Sequence, residues 1–513
     1  MSTAKHGRSL DGVCLVGDKI RMKQRSRRRK PLVAWYVMPL ALTAVALAVA
    51  ALSPAPAVPA MDDTYIHLVF GHSLLTSSPL SFNPGEPSSG FTSPLWLLPS
   101  AAASLVGRGG APMLLMLFST VCAALAVAAV ESRTSLLLAL TGPFLFHATS
   151  GMETAAACLM IVLAWKSVRD DSLLVWRPWL LAAAFLCRPE LALLAVPLLM
   201  VTWRRGWKAV ALLLLPSLVA GCLWILWNLH AAGLPLPSTF YAKQSSGWGE
   251  MAGTGILGLL ENLVFTSIML PLAAGVAVTS LIKGDLTQDR AAGIALASFP
   301  VLLVAAALAT QPNAWFQMRY FLPALVAMVL ASGHWLSKIP RWRSNLAILA
   351  VAMIPGLVVF AGRRMDASAD VDAIDVSPAS WLAEHVRPGS TVASADIGAM
   401  GWISGLRVLD LDGLITPERL PGGIGTGWEW VSDRADYLAA FPVQYAGLIE
   451  DGSGSLEYLT GYASPKNVIC GEDSVAVWRI IDRNRQLPAY GAVDGTPRDT
   501  TSGNSVPLRM SQL

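Results

Sequence analysis

Charge is scarce in this chain. Only 14% of its 513 residues are Asp, Glu, Lys or Arg, where soluble globular chains carry about 25%. Hydrophobic residues make up 54% and the mean hydropathy is +0.52, which excludes a water-soluble enzyme of several domains. Cysteine is scarce too. Cys122, Cys158, Cys187 and Cys222 fall in apolar runs, Cys14 in a basic segment, and Cys470 alone near the C-terminal end. They form neither a disulfide framework nor a metal-ligand spacing. The chain has no internal repeat and no Gly-rich nucleotide-binding loop. His72 and His147 lack ligand-like spacing and read as structural.

What is present is a series of apolar runs, several reaching the roughly 20 residues needed to cross a hydrocarbon core. The basic block RMKQRSRRRK at 21–30 precedes the first of them. Beside a span, such a block holds the N-terminus in the cytoplasm and touches anionic membrane lipids, so nucleic acid is not an expected partner. Spans are expected near 32–52, 111–130, 134–150, 152–168, 173–187, 190–203, 207–230, 255–282, 291–310, 321–337 and 345–362. The short run 93–106, with Pro94 and Pro99, reads as an interfacial helix. This arrangement puts Arg133, Lys166, Arg169, Arg204, Arg205, Lys208, Lys283, Arg290, Lys338, Arg341 and Arg343 on the cytoplasmic side, as the positive-inside rule asks. Letting 93–106 cross and merging 173–203 would put Lys166, Arg169 and Arg177 outside.

The chain therefore reads as a polytopic α-helical membrane protein of about eleven transmembrane helices with a small extracytoplasmic α/β domain at its C-terminal end. Its expected parts are a basic cytoplasmic tail at 1–31, a transmembrane domain at 32–362 with an exterior loop at 53–110, an α/β domain at 363–483, and a disordered tail at 484–513. In the α/β domain a helix is expected from Ser377 to His385, strands at TVASAD (391–396) and RVLDL (407–411), and a helix near 432–440. YAGLI (445–449) and SVAVWRI (474–480) continue the pattern as strands. The expected setting is a plasma (inner) membrane crossed many times.

With this topology the unusual polar clusters gather on the exterior side: Asp62-Asp63, Gly151-Met152-Glu153-Thr154, Arg188-Pro189-Glu190, LPLPSTFYAK at 234–243, and Gln317-Met318-Arg319-Tyr320. Ionisable groups at membrane depth are costly and are usually functional or paired, so the convergence suggests one exterior-facing cavity. Each cluster also has a plainer explanation. Asp62 can be the N-cap of a helix over 63–75, and Asp63 and His67 share its face at i, i+4. Glu153 can cap its own helix, and Arg188 and Glu190 can neutralise one another. Lys243 and Arg319 can be snorkelling residues. Trp96, Trp203, Trp207 and Trp315 fit aromatic belts.

The same clusters carry a resemblance. MDDTYIHLVFGHSL followed by FNPGEPSSGFTSPLW resembles the first exterior loop of GT-C glycosyltransferases, polytopic enzymes that take sugars from polyprenyl-phosphate carriers. SGMET, CRPE, LPSTFYAKQ, MRYFLPAL and DIGAMGWISGLRVLDLDGL follow in the order of that superfamily. Over about residues 33–420 the chain is most similar in look to actinobacterial terminal arabinofuranosyltransferases and related bacterial proteins. Gly-Met-Glu stands where relatives often have Gly-Leu-Glu.

The resemblance implies an inverting transfer of a sugar, arabinofuranose or another pentose or hexose, from a polyprenyl-phosphate donor to a glycan or lipid acceptor of the cell envelope. It implies a catalytic carboxylate at Asp62 or Asp63, with Asp62, which leads the motif, the expected base. Such a reaction needs a base for the acceptor hydroxyl and cations, or a metal, for the departing phosphate. Arg188, Lys243 and Arg319 are the candidate phosphate ligands, with His67, Glu153, Glu190, Tyr241 and Asp396 as substrate-binding or orienting residues. A divalent cation, if one is used, falls to Asp62 and Asp63. Asp396, Asp410 and Asp412 can hydrogen-bond sugar hydroxyls or serve as strand-end turns. Two other classes stay open: a transporter or flippase of lipid-linked sugars, and a non-catalytic glycan-binding scaffold. The first predicts paired half-repeats with broken helices, and the second leaves the Asp62-Asp63 loop unexplained.

Overall fold

The protein's structure, a computed structural model, describes residues 32–242, 268–286, 289–310, 317–420, 427–481 and 506–507. The basic tail, Lys243, Trp315, part of the span expected at 255–282 and nearly all of 484–513 lie outside the described residues.

The membrane part is a packed bundle. It begins with α1 (Leu32–Ala51), α2 (Asp63–Ser73), α3 (Leu97–Ser104) and α4 (Ala111–Ala128). It continues through α5 (Ser132–Ala139), α6 (Gly142–Ala148), α7 (Thr154–Arg169), α8 (Arg177–Cys187) and α9 (Ala195–Thr202). Next come α10 (Trp207–Ala232), α11 (Ser238–Ala242), α12 (Met269–Lys283), α13 (Arg290–Thr310), α14 (Leu322–Leu336) and α15 (Trp342–Val371). Among the described residues four helices are long and apolar enough to cross a membrane: Ala111–Ala128, Trp207–Ala232, Arg290–Leu308 and a rod from Trp342 to His385. Of the other expected spans, the first is the apolar helix α1, the one at 255–282 lies partly outside the described residues, and the rest are shorter helices.

Side-chain exposure follows the solvent. On α10, Leu212, Leu215, Leu218, Leu223 and Leu226 all point outward, an arrangement suited to lipid tails. On α7 and α14 nearly every side chain is buried by neighbouring helices. The stretch 134–150, expected as one span, is two helices. Thr141 is extended and Pro143 opens the first turn of α6, a position where its missing N–H is harmless but continuation of α5 is not possible. Trp203 and Trp207 are exposed, as belt residues would be. Trp96 departs from that expectation: it is buried, and its indole N–H donates to the Gly151 carbonyl at 2.9 Å.

α15 runs through residues 362–363 without a break, into a π-helical turn (Asp372–Val376) and then α16 (Ser377–His385). Beyond it lies a sheet of β1 (Thr391–Ser394), β2 (Arg407–Asp410), β3 (Tyr437–Ala440), β4 (Leu456–Ala463), β5 (Ser474–Ile480) and β6 (Val506–Pro507), in the order β2-β1-β3-β5-β4-β6. β1 pairs parallel with β2 and β3, and the remaining pairs are antiparallel. Three local expectations are corrected. Residues 437–440 form β3, not a helix, and the helix before them is α17 (Trp428–Ser432). YLAA is a short apolar run of the kind periodicity cannot assign, and pairing with both β1 and β5 decides it. YAGLI gives α18 (Ala446–Asp451), a surface helix with no fully buried residue. β4 was not expected; a bulge between Tyr458 and Thr460 breaks its alternation.

The stretch 53–110, expected as an exterior loop, is bound to this domain along its length. The Asn83 side chain donates to the Val408 carbonyl and accepts from the Val408 N–H, both at 2.9 Å, so one amide completes the outer edge of β2. Arg407 pairs with Glu86 at 2.7 Å, and the Trp402 indole donates to the Arg108 carbonyl at 3.0 Å. Phe70, Phe82 and Phe91 of the loop share a hydrophobic core with Ile397, Met400 and Val408 of the domain.

Candidate active site

α2 begins at Asp63 after the proline-rich entry, with Asp62 at its N-cap position. The Asp62 side chain does not cap the helix. Its Oδ2 accepts the Gly398 N–H at 2.7 Å and its Oδ1 the Ala399 N–H at 2.6 Å. The approach is so close that a Cβ at Gly398 would stand 2.3 Å from the Asp62 carbonyl oxygen and 2.5 Å from Oδ2. Burial pushes the Asp62 carboxyl up from 3.8 to about 7, against the lowering effect of those two amides, with the charge of Asp63 adding to the rise.

Asp63 faces the other way, into an ion network. Arg319 donates Nη1 to Asp63 Oδ2 and Nη2 to Glu153 Oε1, the latter at 3.0 Å. Arg188 donates Nη1 to the same Glu153 oxygen at 3.2 Å and Nε to Glu190 at 2.5 Å. His67 Nε2, one turn along α2 from Asp63, lies 3.2 Å from Glu153 Oε2. The Arg188 and Arg319 guanidinium carbons lie 5.1 and 5.8 Å from the Tyr320 ring centre, a range in which cations are attracted to the ring quadrupole. Glu153, Arg188, Arg319 and His67 are all buried, Glu190 is 17% exposed, and Asp63 is the most open of the set at 36% side-chain exposure.

Local structure explains this placement. Glu153 precedes α7 but makes no capping bond, so the carboxylate is free to turn to the two arginines. Arg319 follows Gln317 and Met318, both at positive φ (55° and 63°), a conformation that costs non-glycine residues energy and concentrates at functional sites. Gln317 is held there by His147 at its carbonyl (3.0 Å) and by its own side chain donating to the Val468 carbonyl (2.8 Å). Buried Arg364 donates to the side chain and carbonyl of Thr149 at 3.0 and 3.2 Å, fixing the turn ahead of Glu153.

Asp396, just past β1, lies beside Asp62 and hydrogen-bonds Asp375 of the π-helical turn. Burial, then the charges of Asp62 and Asp412, hold the Asp396 carboxyl well above the usual carboxylate range. Asp410 is spent on its own turn, accepting the Asp412 and Ile415 N–H groups at 2.8 and 2.7 Å.

The structure thus brings Asp62, Asp63, His67, Glu153, Arg188, Glu190, Arg319 and Asp396 to one place. Lys243 lies outside the described residues, and Tyr241 packs edge-on against Phe240 at 5.5 Å. Sequence reasoning missed Asp375, Arg364 and the Gly398 and Ala399 amides. The pair of glycines in DIGAMGW was the one available signal for the last of these. A divalent cation fits the two aspartates poorly, since amides occupy both Asp62 oxygens and Arg319 engages Asp63. Among the described residues no group of three or more His, Cys, Asp or Glu is placed to hold a metal.

Residues 368–487 match a family described as Domain of unknown function (DUF8728). No curated protein matches. Among solved structures, the chain is similar to ArnT from Cupriavidus metallidurans bound to undecaprenyl phosphate, at 11% identity and a TM-score of 0.55, over 87% of this chain and 98% of that one. The Archaeoglobus fulgidus oligosaccharyltransferase tethered with an acceptor peptide gives 12% identity and a TM-score of 0.49, over 85% and 74%. The likeness is one of fold: like ArnT, the chain is a helical bundle, mostly apolar, with a small sheet domain.

Proposed function

We propose that the protein is an inverting glycosyltransferase that moves a sugar from a polyprenyl-phosphate donor to a glycan or lipid acceptor on the extracytoplasmic face of the membrane. The observation that carries this reading is the buried Glu153–Arg188–Arg319 network with Asp63 at its open edge. Its arginines suit the oxygens of a departing phosphate, and the exposed carboxylate suits a hydroxyl nucleophile. The undecaprenyl phosphate bound to the structural neighbour supports a donor of the same chemistry. Arabinofuranose or another pentose or hexose is the proposed sugar, and the envelope glycan or a lipid the acceptor.

Asp63 is the proposed base. The acceptor O–H attacks the anomeric carbon, its proton passes to an Asp63 oxygen, and the bond from that carbon to the phosphate oxygen breaks. The leaving phosphate draws Arg319 from Asp63, which frees the carboxylate as the charge develops. Asp62 is less suited to the task because backbone donors take both of its oxygens. Arg188 completes the phosphate site, His67 and Glu190 orient the network, and Lys243 is a further phosphate ligand. Tyr241 and Asp396 are assigned to the substrate.

In the proposed topology, eleven spans leave the N-terminus in the cytoplasm and the α/β domain outside, supported by the clustering of Lys and Arg in alternate loops. The test is to incubate purified protein with a panel of polyprenyl-phosphate sugars and follow donor loss. Consumption of one donor with release of polyprenyl phosphate is the expected result. Transport of the intact donor across vesicles without consumption would replace this reading with a flippase.

A further inference from the structure

Three successive residues at the start of α2 bind three different parts of the molecule. Asp62 accepts two N–H groups of the C-terminal domain. Asp63 pairs with Arg319, and Thr64 Oγ1 donates to the Ser150 carbonyl at 2.7 Å. Consecutive side chains on a helix diverge by about 100°, so these attachments pin α2 against rotation about its own axis. Of the three, only the first comes from outside the bundle.

We propose that the Gly398–Ala399 amide pair is a positioning element for sugar transfer, holding Asp62 so that Asp63 stays aimed at the donor phosphate and acceptor hydroxyl. The proposal rests on the glycosyltransferase reading above. It makes the α/β domain part of the active centre instead of an appended module. The fit at Gly398 agrees, since any side chain there would collide with Asp62. So does the rest of the junction: Asn83 closes the β2 edge, and a Cβ at Gly401 would stand 2.6 Å from the Phe82 ring. The loop therefore cannot shift while the domain stays docked.

Two substitutions in the full-length protein test the pair. Ala399 has φ −59°, which proline shares, so Ala399→Pro removes one donor and sets its ring carbon against the Asp62 oxygen that the N–H now meets. Gly398→Ala displaces Asp62 by contact. Each should lower kcat by about tenfold or more, while the donor KM changes by less than about twofold. Asp62→Asn, which keeps one acceptor, should lose less than Asp62→Ala. Hydrogen exchange, which needs no turnover, should show the amides of residues 397–400 opening faster in Asp62→Ala than in the unsubstituted protein, with those of β1 unchanged. Unaltered kcat in both Gly398→Ala and Ala399→Pro, or equal exchange, would overturn the positioning role alone. An unsubstituted protein that consumes no donor overturns the transferase reading and this role with it.

Discussion

Arg319 and Glu153 stand 166 positions apart in sequence and 3.0 Å apart in space, Nη2 donating to Oε1. The same oxygen receives Arg188 at 3.2 Å, so one buried carboxylate joins two guanidinium groups, each of which also pairs with a second carboxylate, Glu190 or Asp63. Removing Glu153 costs both arginines their shared acceptor, a loss of about 1.5–3 kcal/mol for a hydrogen bond to a charged group. Glu153→Ala should therefore unfold at a clearly lower temperature in detergent than the unsubstituted protein, measured by tryptophan fluorescence. Glu153→Gln, which keeps an acceptor oxygen, should fall between them. Equal melting of all three would mean that the arginines find other partners.

Arg319 joins the network to the open edge of the site, and its loss should be felt by the donor. Hydrogen bonds to charged groups contribute about 1.5–3 kcal/mol, so Arg319→Ala should weaken binding of a polyprenyl-phosphate donor roughly tenfold or more. Arg319→Lys keeps charge but loses the fork that spans Asp63 and Glu153, and should recover only part of the affinity. Titration of a fluorescent lipid phosphate measures both. Unchanged affinity in Arg319→Ala would place the phosphate elsewhere.

The two aspartates should separate on substitution. Asp63→Asn removes the proposed base and should reduce turnover by about a hundredfold or more, with donor binding largely kept. Asp62→Asn retains one of the amide contacts and should lower turnover by about tenfold. The reverse order, measured as initial rates on one donor, would move the base to Asp62.

Asp62 also predicts a pH effect. Its carboxyl titrates at about 7 in the folded protein, against 3.8 for the ordinary group, so the folded state holds the extra proton between those values. Its contribution to stability is then full below the lower value and declines as pH rises toward about 7. The melting temperature of Asp62→Asn should accordingly gain on that of the unsubstituted protein between pH 5 and 7, while the rate of the unsubstituted enzyme climbs over the same range as the carboxylate forms. Parallel melting curves at every pH would show that Asp62 is ionised throughout.

Sidedness is accessible to thiol labelling. Ser77 and Ser344 are both exposed, and the proposed topology puts them on opposite faces. In intact cells an impermeant maleimide should label Ser77→Cys and spare Ser344→Cys. The opposite pattern would place the site in the cytoplasm.

Much of the site was legible because its members are charged residues in an apolar chain, where each is conspicuous. Asp63, Glu153, Arg188, Glu190 and Arg319 could be singled out without any knowledge of who meets whom. The grip on Asp62 could not, because its partners are backbone amides, which leave no trace in side-chain patterning. Asp375 was hidden in the polar stretch after α15, whose helical continuation removes the break that composition had suggested at 362–363. In the sheet domain, short runs such as 437–440 and 446–451 are too brief for periodicity, and pairing or surface position settled them.

The unbroken α15 has a mechanical meaning. Its 30 residues span about 45 Å, roughly 15 Å more than a hydrocarbon core is thick. The helical path carries on through the π-helical turn and α16 to His385, and only a short turn separates it from β1. Gly398 and Ala399 therefore meet Asp62 at a distance from the bundle that a continuous helix, and not a hinge at 362–363, sets.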